Sequence, residues 1–456
     1  MTRLKTAIPK SELLAQDHQH CWHPFTQAQT AAPPIPMVRG EREFLFDADG
    51  KRYFDGVSSW WVNLHGHAHP VIAEAIAQQA RTLEQVMFAG ITHAPAVQLA
   101  QALVQRAPAP LQHVFYTDNG STAVEVALKM AAQYWRNQGQ LRQRFLAFEG
   151  AYHGDTFGAM AAGRSSGFYT PFEDWLFAVD SLPYPHTWQG HGPSADEAES
   201  LAWLDQYLLE HGSELVAFIA EPLVQGAAGM RMVRPAYLRA VVERVQAQGI
   251  PVIFDEVMTG FGRTGTFFAS EQVGVAPDLL CLSKGLTGGF LPMGATLAQP
   301  HIYQAFLSDD VGKALLHGHS YTANPLGCAA ALASLQLFEE EQTLARIQAQ
   351  AAVHTEQLAR LAQHPRVQRV RQSGTIAAFD LQVNEQNQYG AGAGTWLRER
   401  AAQQGVLLRP LGNCIYFIAP YCTANETLIQ AYQVVSTLLD ELAERQGESR
   451  IASDFF

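Results

Sequence analysis

Several features that would place this chain in a specialised class are missing from it. It has only five cysteines, an odd and widely spaced set without a CxxC pair: Cys21, Cys281, Cys328, Cys414 and Cys422. This pattern indicates reduced thiols and predicts neither a disulfide framework nor a zinc site. No run of Lys and Arg resembles a nucleic-acid footprint, and the formal net charge is −12. We therefore expect no nucleic-acid partner.

Long apolar runs are missing as well. No stretch approaches the roughly 20 apolar residues that a membrane-spanning helix needs. Residues 1–20 mix charged and polar types and lack the apolar core of a signal peptide. Hydrophobic residues nevertheless make up 47% of the chain and charged residues 16%, which is the composition of a globular protein. We therefore expect a soluble cytoplasmic protein without a membrane partner.

The length of 456 residues predicts a large domain and a smaller one, because a single core rarely organises so long a chain. From about residue 110 to 300, short apolar runs alternate with helical patterns, which is typical of parallel βαβ units. The predicted strands are His113–Tyr116, Phe145–Phe148, Leu215–Ala220, Val252–Phe254 and Leu279–Leu282. Each is brief and nearly all apolar, as strands buried on both faces of a sheet are.

The C-terminal part predicts a separate α/β domain. An Ala- and Leu-rich pattern after Asn324-Pro325 indicates a helical stretch through about residue 362, and an amphipathic helix is predicted near 424–444. Strands are predicted between them at Thr375–Leu381, Val406–Arg409 and Cys414–Ala419. We divide the chain into an N-terminal segment that joins the small domain (1–65), a large domain (66–328) and a C-terminal small domain (329–456).

Polar residues follow each of the five strands predicted for the large domain. They are Asn119-Gly120-Ser121, Tyr152-His153-Gly154-Asp155, Glu221-Pro222, Asp255-Glu256 and Ser283-Lys284. In an open parallel sheet, ligands bind beyond the carboxyl ends of the strands. The sequence therefore predicts a ligand site at this edge.

Asp255 and Lys284 carry the chemistry of this predicted site. Asp255 comes directly after a buried strand, where a carboxylate is costly unless it is paired. A protonated pyridine nitrogen is a suitable partner, as in pyridoxal-phosphate sites; taken alone, Asp255 could equally be a helix N-cap. Lys284 follows the next strand, where a partly desolvated amine can act as a nucleophile, although a lone Lys is more often a solvated surface residue. Because Asp255 and Lys284 stand at neighbouring strand ends, a catalytic role is favoured over these two ordinary roles.

The remaining clusters leave two interpretations each. Gly120-Ser121 begins a helical pattern in which Thr122 and Glu125 fit a capping box, and such a helix start can bind phosphate or be an ordinary cap. Tyr152 offers a face that could stack on a planar cofactor. Two histidines, His65 and His67, suggest metal at first sight, but no carboxylate or Cys completes a ligand set at familiar spacing. We predict no metal.

With these segments in place, the sequence resembles the class III aminotransferases of the fold-type-I pyridoxal-phosphate (PLP) superfamily. The matching segments are Asn119-Gly120-Ser121, Tyr152-His153-Gly154, Asp255-Glu256, Phe261-Gly262-Arg263-Thr264-Gly265 and Ser283-Lys284-Gly285. The resemblance implies a PLP-dependent transferase of α/β fold, with a large, mostly parallel sheet domain and a smaller α/β domain. It also implies a homodimer with shared active sites.

A second set of segments is similar to the branch of this family that acts in biotin synthesis. The set comprises Trp22-His23-Pro24, Ser58-Ser59-Trp60-Trp61, residues 90–95, residues 154–158, residues 224–227, Leu408-Arg409-Pro410 and Ile415-Tyr416. The similarity implies amino transfer from S-adenosylmethionine to 8-amino-7-oxononanoate, giving 7,8-diaminononanoate. The alternatives are another class III ω-aminotransferase and the same reaction with lysine as donor. A ligand-sensing regulator on this scaffold is disfavoured by the negative charge and by the presence of Lys284.

The resemblance also implies roles for residues around the cofactor. Lys284 is expected to bind PLP covalently and then to move a proton, and Asp255 to keep the ring nitrogen protonated. Tyr152 is expected to cover the ring and to touch the substrate. The phosphate is expected to bind Gly120 and Ser121, with the segment His319-Ser320 reaching it from the neighbouring subunit.

A further group of residues is implied to bind the substrate. Arg409 is expected to clamp the carboxylate of the keto acid, a task suited to a bidentate guanidinium. The other residues expected in the pocket are Phe25, Trp60 and Gly318, with Asp155, Arg263 and Tyr416 at the donor end. Phe25 stands where the family usually has Tyr, and His319-Ser320 where it has Pro and Thr. Phe25 keeps a stacking face without the hydroxyl, and Ser320 keeps a hydroxyl for the phosphate.

Overall fold

The structure is a computed structural model that describes residues 8–164, 167–185, 194–383 and 392–453. Its strands are β1 Met37–Glu41, β2 Phe44–Asp47, β3 Arg52–Asp55, β4 His113–Thr117, β5 Arg144–Phe148, β6 Asp180–Leu182, β7 Leu215–Ala220, β8 Val224–Gln225, β9 Arg231–Met232, β10 Val252–Asp255, β11 Leu279–Leu282, β12 Gly294–Ala298, β13 Val367–Ser373, β14 Ile376–Leu381, β15 Val406–Leu407 and β16 Cys414–Phe417. Its helices are α1 Lys10–His20, α2 Pro70–Thr82, α3 Ala94–Arg106, α4 Gly120–Asn137, α5 Phe157–Ala162, α6 Ala195–His211, α7 Pro235–Ala247, α8 Ala269–Val273, α9 Pro300–Gln304, α10 Pro325–Glu340, α11 Thr343–Leu361, α12 Gly392–Gln403 and α13 Asn425–Ser453.

A seven-stranded sheet of order β4-β12-β11-β10-β7-β5-β6 forms the centre of the large part of the chain. Strands β11, β10, β7, β5 and β6 pair in parallel, whereas β12 pairs antiparallel with both β11 and β4. The predicted large, mostly parallel sheet is confirmed, and all five predicted strands belong to it. Two members were missed: β12, because Leu297 is the only large apolar residue of Gly294–Ala298, and β6, because it has only three residues.

Helix α4 packs on this sheet through its apolar face. Val124, Leu128, Ala131 and Trp135 are all buried, and each fully buried large apolar side chain contributes about 1.5–3 kcal/mol. Trp135 also donates its indole N–H to the carbonyl of Val216 at 2.9 Å. The sheet therefore fixes α4, and with it the helix start that faces the predicted site.

Two smaller sheets follow the order β1-β2-β3-β15 and β13-β14-β16. Strand β15 pairs in parallel with β3, which brings the N-terminal strands against the C-terminal part of the chain. Strands β14, β15 and β16 match predicted strands, although Val406–Arg409 shortens to Val406–Leu407 and Cys414–Ala419 to Cys414–Phe417. Strand β13 was not predicted, because charged residues interrupt its apolar positions.

The helical stretch predicted through about residue 362 is confirmed, and it consists of two helices, α10 and α11. They are separated at Gln342, whose φ of +49° no right-handed helix accepts. The predicted domain boundary at 328 lies inside α10, and Cys328, Ala331 and Leu335 of this helix belong to the core beneath the large sheet. The apolar pattern of a helix shows that one of its faces is buried, but it does not show which sheet that face covers.

A left-handed turn at Ser58–Trp61 connects β3 with the site. All four residues have positive φ, between 46° and 71°, a conformation that costs about 1–2 kcal/mol per residue. Surrounding groups offset this cost: Ser59 donates to Asp55 at 2.8 Å, and the Trp61 indole donates to the Tyr416 hydroxyl at 3.1 Å. Because of this turn, Trp60 and Trp61 lie in different surroundings although they are neighbours in the sequence.

Within the described ranges, no helix combines the length and the apolar character needed to cross a bilayer.

Candidate active site

A cavity of about 670 Å³ opens at the carboxyl ends of the central strands. All five of the predicted polar clusters contribute to its lining, through residues that include Gly120, Tyr152, Glu221, Asp255 and Lys284. The parallel strands bring these positions together although they are up to 164 residues apart in the numbering, from 120 to 284. The predicted location of the site agrees with this cavity.

Asp255 ends strand β10 and is 5% exposed. One carboxylate oxygen lies 2.8 Å from Nδ1 of the fully buried His153 side chain, and the other accepts the N–H of Val257 at 3.1 Å. A turn rather than a helix follows Asp255, so this residue is not a helix N-cap. His153 and Val257 thus hold a buried carboxylate at the cavity wall.

Lys284 begins a short 3₁₀ turn after β11 with a φ of +46°. Its ammonium nitrogen lies 4.8 Å from the centre of the Trp61 ring. Burial lowers the pKa of the Lys284 amine, although the nearby Asp255 and Glu221 carboxylates act in the opposite direction. A lysine that loses its proton more easily is a better nucleophile.

Glu221 is a site residue to which the sequence assigned no role. Its carboxylate accepts the N–H groups of Tyr152 at 3.1 Å and of Gly226 at 2.9 Å. Burial, together with the Asp255 charge, raises the pKa of Glu221 to about 7, and His153 opposes this shift. Glu221 followed a predicted strand, but nothing in the sequence showed that its carboxyl joins His153 and Asp255 in one buried group.

The start of helix α4 forms a cradle beside this buried group. Gly120 leaves room there: a Cβ at this position would lie 2.6 Å from a methyl carbon of Val257. The Ser121 hydroxyl accepts the N–H of Thr156 at 2.9 Å. Backbone N–H groups and the helix dipole favour an anion at such a helix start.

The predicted capping box of Thr122 and Glu125 is wrong. The helix begins at Gly120, so the N-cap is Asn119, whose side chain accepts the N–H of Thr122 at 3.0 Å while the Thr122 hydroxyl accepts the N–H of Asn119 at 3.1 Å. Glu125 instead accepts the N–H of Gly158 at 2.7 Å, which ties α4 to the start of α5.

A row of aromatic rings leads from the cavity to Arg409. Ring centres lie 6.2 Å apart for Tyr152 and Phe168, 6.2 Å for Phe168 and Phe25, and 5.6 Å for Phe25 and Trp60. The guanidinium carbon of Arg409 lies 3.9 Å from the centre of the Trp60 ring. These are distances of aromatic and cation–π contact, so the row is continuous.

At the other end of the row, the Tyr152 hydroxyl donates to the Asp155 carboxylate at 3.0 Å. Both residues line the cavity. The row therefore has a carboxylate at its inner end and the Arg409 guanidinium at its outer end.

Two predicted pocket residues, Arg263 and Tyr416, lie behind the cavity wall and not in its lining. Of the tryptophan pair, Trp61 lines the cavity and Trp60 lies in the outer part of the row. Tyr416 and Arg263 are fully buried behind Trp61: Tyr416 accepts its indole N–H, and Arg263 donates to its carbonyl oxygen at 3.3 Å. They hold Trp61 and are not among the residues that line the cavity.

The segment Gly318-His319-Ser320 lies outside the lining of the cavity in its own chain. His319 pairs with Asp118 through atoms 3.0 Å apart, and the Ser320 carbonyl oxygen accepts from Gln85 at 2.7 Å. Asp118 comes two residues before Gly120. The prediction that Ser320 serves a neighbouring subunit is not tested by one chain.

The cavity residues fit PLP. The buried Asp255 carboxylate suits a protonated pyridine nitrogen, the Gly120–Ser121 cradle suits a phosphate, and the Lys284 amine suits a covalent link to an aldehyde. Among the described residues, no group of three or more His, Cys, Asp or Glu side chains is arranged to hold a metal ion.

Comparison with known proteins identifies the class. The family described as aminotransferase class-III matches residues 25–439. A relative from Synechococcus elongatus, an adenosylmethionine-8-amino-7-oxononanoate aminotransferase, is 53% identical over 93% of this chain and 99% of its own length. A protein of the same name from Geobacter sulfurreducens is 41% identical over 90% of this chain and 94% of its own length.

Solved structures lead to the same class. The structure of an adenosylmethionine-8-amino-7-oxononanoate aminotransferase from Methanocaldococcus jannaschii matches with a TM-score of 0.89 and 35% identity, covering 95% of this chain and 99% of that one. A PLP-bound amine transaminase from an uncultivated Pseudomonas species matches with a TM-score of 0.85 and 33% identity, covering 92% and 98%. The chain belongs to the class III aminotransferases, a family of PLP-dependent transaminases.

Glu256, next to Asp255, makes the stability of the protein depend on pH. Its carboxyl is fully buried, accepts the N–H groups of Ala269 and Ser270 at 2.7 and 2.8 Å, and has its pKa raised from 4.5 to about 7 by burial. The folded state thus favours the protonated form. Its contribution to stability is complete below pH 4.5 and is lost as the pH rises through about 7.

Replacing Glu256 by Gln should remove this dependence, because the amide stays neutral. From pH 4.5 to 8, the free energy of unfolding of the wild type should fall by about 3 kcal/mol relative to that of Glu256→Gln. Urea unfolding of both proteins at several pH values measures this difference. A difference that does not change with pH would show that Glu256 has an ordinary pKa.

Proposed function

We propose that the chain transfers an amino group from S-adenosylmethionine to 8-amino-7-oxononanoate, giving 7,8-diaminononanoate for biotin synthesis in the cytoplasm. The observation that carries this proposal is the aromatic row between Asp155 and Arg409. A keto acid with a long apolar chain and a terminal carboxylate matches it: the guanidinium suits the carboxylate and the rings suit the chain. The similarity to relatives of that name over nearly the whole chain supports the same substrates.

Each cofactor-facing residue has a task that follows from its surroundings. When bound, PLP supplies an electron sink that stabilises negative charge on the substrate carbon. Asp255 offers a buried carboxylate to the protonated ring nitrogen, and His153 fixes the orientation of that carboxylate. Lys284, with its lowered pKa, binds the cofactor covalently and later holds and returns a proton at Nζ. Tyr152 covers the cofactor face of the cavity.

The substrate residues divide between the two ends of the row. Arg409 binds the carboxylate of the keto acid, with Trp60 and Phe25 beside the apolar chain. Asp155 and Tyr152 are polar groups at the inner end, next to the amine of Lys284. The Asp155 carboxylate, which the Tyr152 hydroxyl holds in place, gives the inner end a negative charge that suits the ammonium or sulfonium group of a donor.

We propose further that two copies of the chain share their active sites, with Ser320, His319 and Gly318 completing the site of the partner. The support is that this segment lies outside the cavity of its own chain and is flanked in the sequence by two exposed apolar side chains, Leu316 and Tyr321. Light scattering should give twice the mass of the chain. A monomer with full activity would contradict the proposal that two copies share their active sites.

The visible spectrum of the purified protein tests the reaction. The absorption band of the bound cofactor should bleach when S-adenosylmethionine is added and return when 8-amino-7-oxononanoate is added. A band that bleaches with lysine or another amine, and not with S-adenosylmethionine, would keep the aminotransferase and reassign the donor. No band after incubation with PLP would contradict the assignment of the cofactor.

Replacing Arg409 by Ala should weaken binding of the keto acid much more than binding of the donor. Loss of a charge-assisted pair with a carboxylate costs about 1.5–3 kcal/mol, so KM for 8-amino-7-oxononanoate should rise about 10- to 100-fold. Steady-state kinetics with each substrate varied in turn measures the two constants.

Arg52→Ala is the matched control for Arg409→Ala. The Arg52 guanidinium also lies over an aromatic ring, 4.4 Å from the centre of Phe44, but it does so on the surface and away from the cavity. The control should leave both KM values unchanged. Equal effects of Arg409→Ala on the two substrates would mean that Arg409 does not bind the keto-acid carboxylate.

A further inference from the structure

Tyr169 lies behind the cavity wall, and the reaction described above assigns it no task. Its side chain is 2% exposed and packs in a small buried cluster with Met160 and Leu176. Its ring is nearly parallel to that of Tyr152, at 20°, with the centres 6.0 Å apart, which is an offset stack. The Tyr169 hydroxyl donates to the carbonyl oxygen of Gly154 at 2.8 Å.

The Gly154 carbonyl belongs to the part of the chain that contacts the phosphate cradle. Gly154 has a φ of +119°, and a Cβ there would lie 2.4 Å from the Ser121 hydroxyl oxygen. Two residues later, Thr156 donates its N–H to the same Ser121 oxygen at 2.9 Å. Gly154 and Thr156 therefore enclose Ser121 from one side, and the hydrogen bond from Tyr169 restrains the backbone that does so.

The chain makes room for the Tyr169 ring at another glycine. A Cβ on Gly163 would lie 3.2 Å from a ring carbon of Tyr169 and 2.9 Å from the carbonyl oxygen of Ala151. A side chain at position 163 would therefore crowd the Tyr169 ring and the backbone of Ala151. Ring stack, hydrogen bond and glycine are three separate features that fix Tyr169 in one place.

We propose that Tyr169 is a positioning residue that holds the Tyr152 ring and the Gly154 carbonyl, and through Gly154 and Thr156 the Ser121 hydroxyl, in the geometry that binds the cofactor. Its hydroxyl restrains the backbone beside the phosphate cradle, and its ring packs against the Tyr152 ring. This role depends on the cofactor of the family and is independent of which amine and keto acid the enzyme uses.

Tyr169→Phe tests the proposal, with Tyr116→Phe as the matched control. Tyr116 is 3% exposed, its hydroxyl donates to the carbonyl of Ala96 at 2.7 Å, and it does not line the cavity. Each variant keeps a ring and loses one buried hydrogen bond to a carbonyl. Both should therefore unfold at lower urea concentration than the wild type, by similar amounts.

Only Tyr169→Phe should change the cofactor site. We expect its dissociation constant for PLP to rise about fivefold, the equivalent of one ordinary hydrogen bond, and kcat to recover when PLP is saturating. In the protein without cofactor, peptides that cover residues 152–158 should exchange backbone hydrogen faster than in Tyr116→Phe. Gly163→Ala, which crowds the Tyr169 ring, should raise the same dissociation constant and carries the test if Tyr169→Phe does not fold.

The measurements separate a positioning role from a purely structural one. A loss of stability in both variants, with the same PLP affinity and the same exchange at 152–158, would overturn the proposal. The proposal would also be overturned if Tyr169→Phe kept both the stability and the PLP affinity of the wild type, because the hydrogen bond would then restrain nothing. If Tyr169→Phe binds PLP more weakly but the protein does not use S-adenosylmethionine, the positioning role of Tyr169 is supported and only the proposed substrates are contradicted.

Discussion

Replacing Lys284 by Ala should reduce the rate of amino transfer on the order of 10⁴-fold or more, because the variant loses both the nucleophile and the group that carries the proton. The covalent link to the cofactor should be lost at the same time. Treatment of the wild type with borohydride, followed by mass spectrometry of its peptides, should place the reduced cofactor on Lys284. The same treatment of Lys284→Ala should label no peptide.

Lys284→Arg separates charge from nucleophilicity. The guanidinium keeps a positive charge near Asp255 and Glu221 but stays protonated, so this variant should be as inactive as Lys284→Ala. Substantial activity in Lys284→Arg would mean that charge alone is needed at this position. Wild-type activity in Lys284→Ala would contradict the mechanism.

Replacing Asp255 by Asn should give the second largest loss, on the order of 10³-fold in kcat. The amide keeps the size of the side chain and can still accept the N–H of Val257, but it no longer offers a negative charge to a protonated ring nitrogen. Single-turnover kinetics with saturating PLP measures the chemical step apart from cofactor loss.

Asp278→Asn is the matched control for Asp255→Asn. Asp278 is 8% exposed and accepts the N–H of Val252 at 2.8 Å, at the opposite end of the same strand β10. Its replacement should lower stability and leave kcat near that of the wild type. If both variants lose the same activity, the effect of Asp255 comes from the sheet and not from its charge.

The sequence was sufficient for five of the seven strands of the central sheet and for the position of the site. Strands β7, β10 and β11 are buried along their whole length, and such strands leave a strong apolar signal. Asp255 is the last residue of β10 and Lys284 lies two residues after β11, so the polarity of a parallel sheet was enough to bring them to one cavity.

Other features depend on contacts that no local pattern encodes. Whether Trp60 or Trp61 faces Lys284 is decided by the left-handed turn, and that turn is held by the distant Arg263 and Tyr416. The partner of Glu125 is the backbone of Gly158 rather than a cap in its own helix. Strand β12 has Leu297 as its only large apolar residue, so its place between β11 and β4 is seen in the backbone pairing and not in an apolar run of the sequence.

The antiparallel strand β12 also determines when the cavity can form as the chain is made. Strand β4 ends at residue 117, and the strand that pairs with it begins at residue 294. Strand β4, which leads directly into helix α4 and Gly120, therefore cannot pair with the sheet until the chain has been synthesised past Ala298. Pairing across so long a separation slows folding, because the loop must close before the contact is gained. We expect a nascent chain that stops before β12 to contain the Lys284 segment and yet to have no ability to retain PLP.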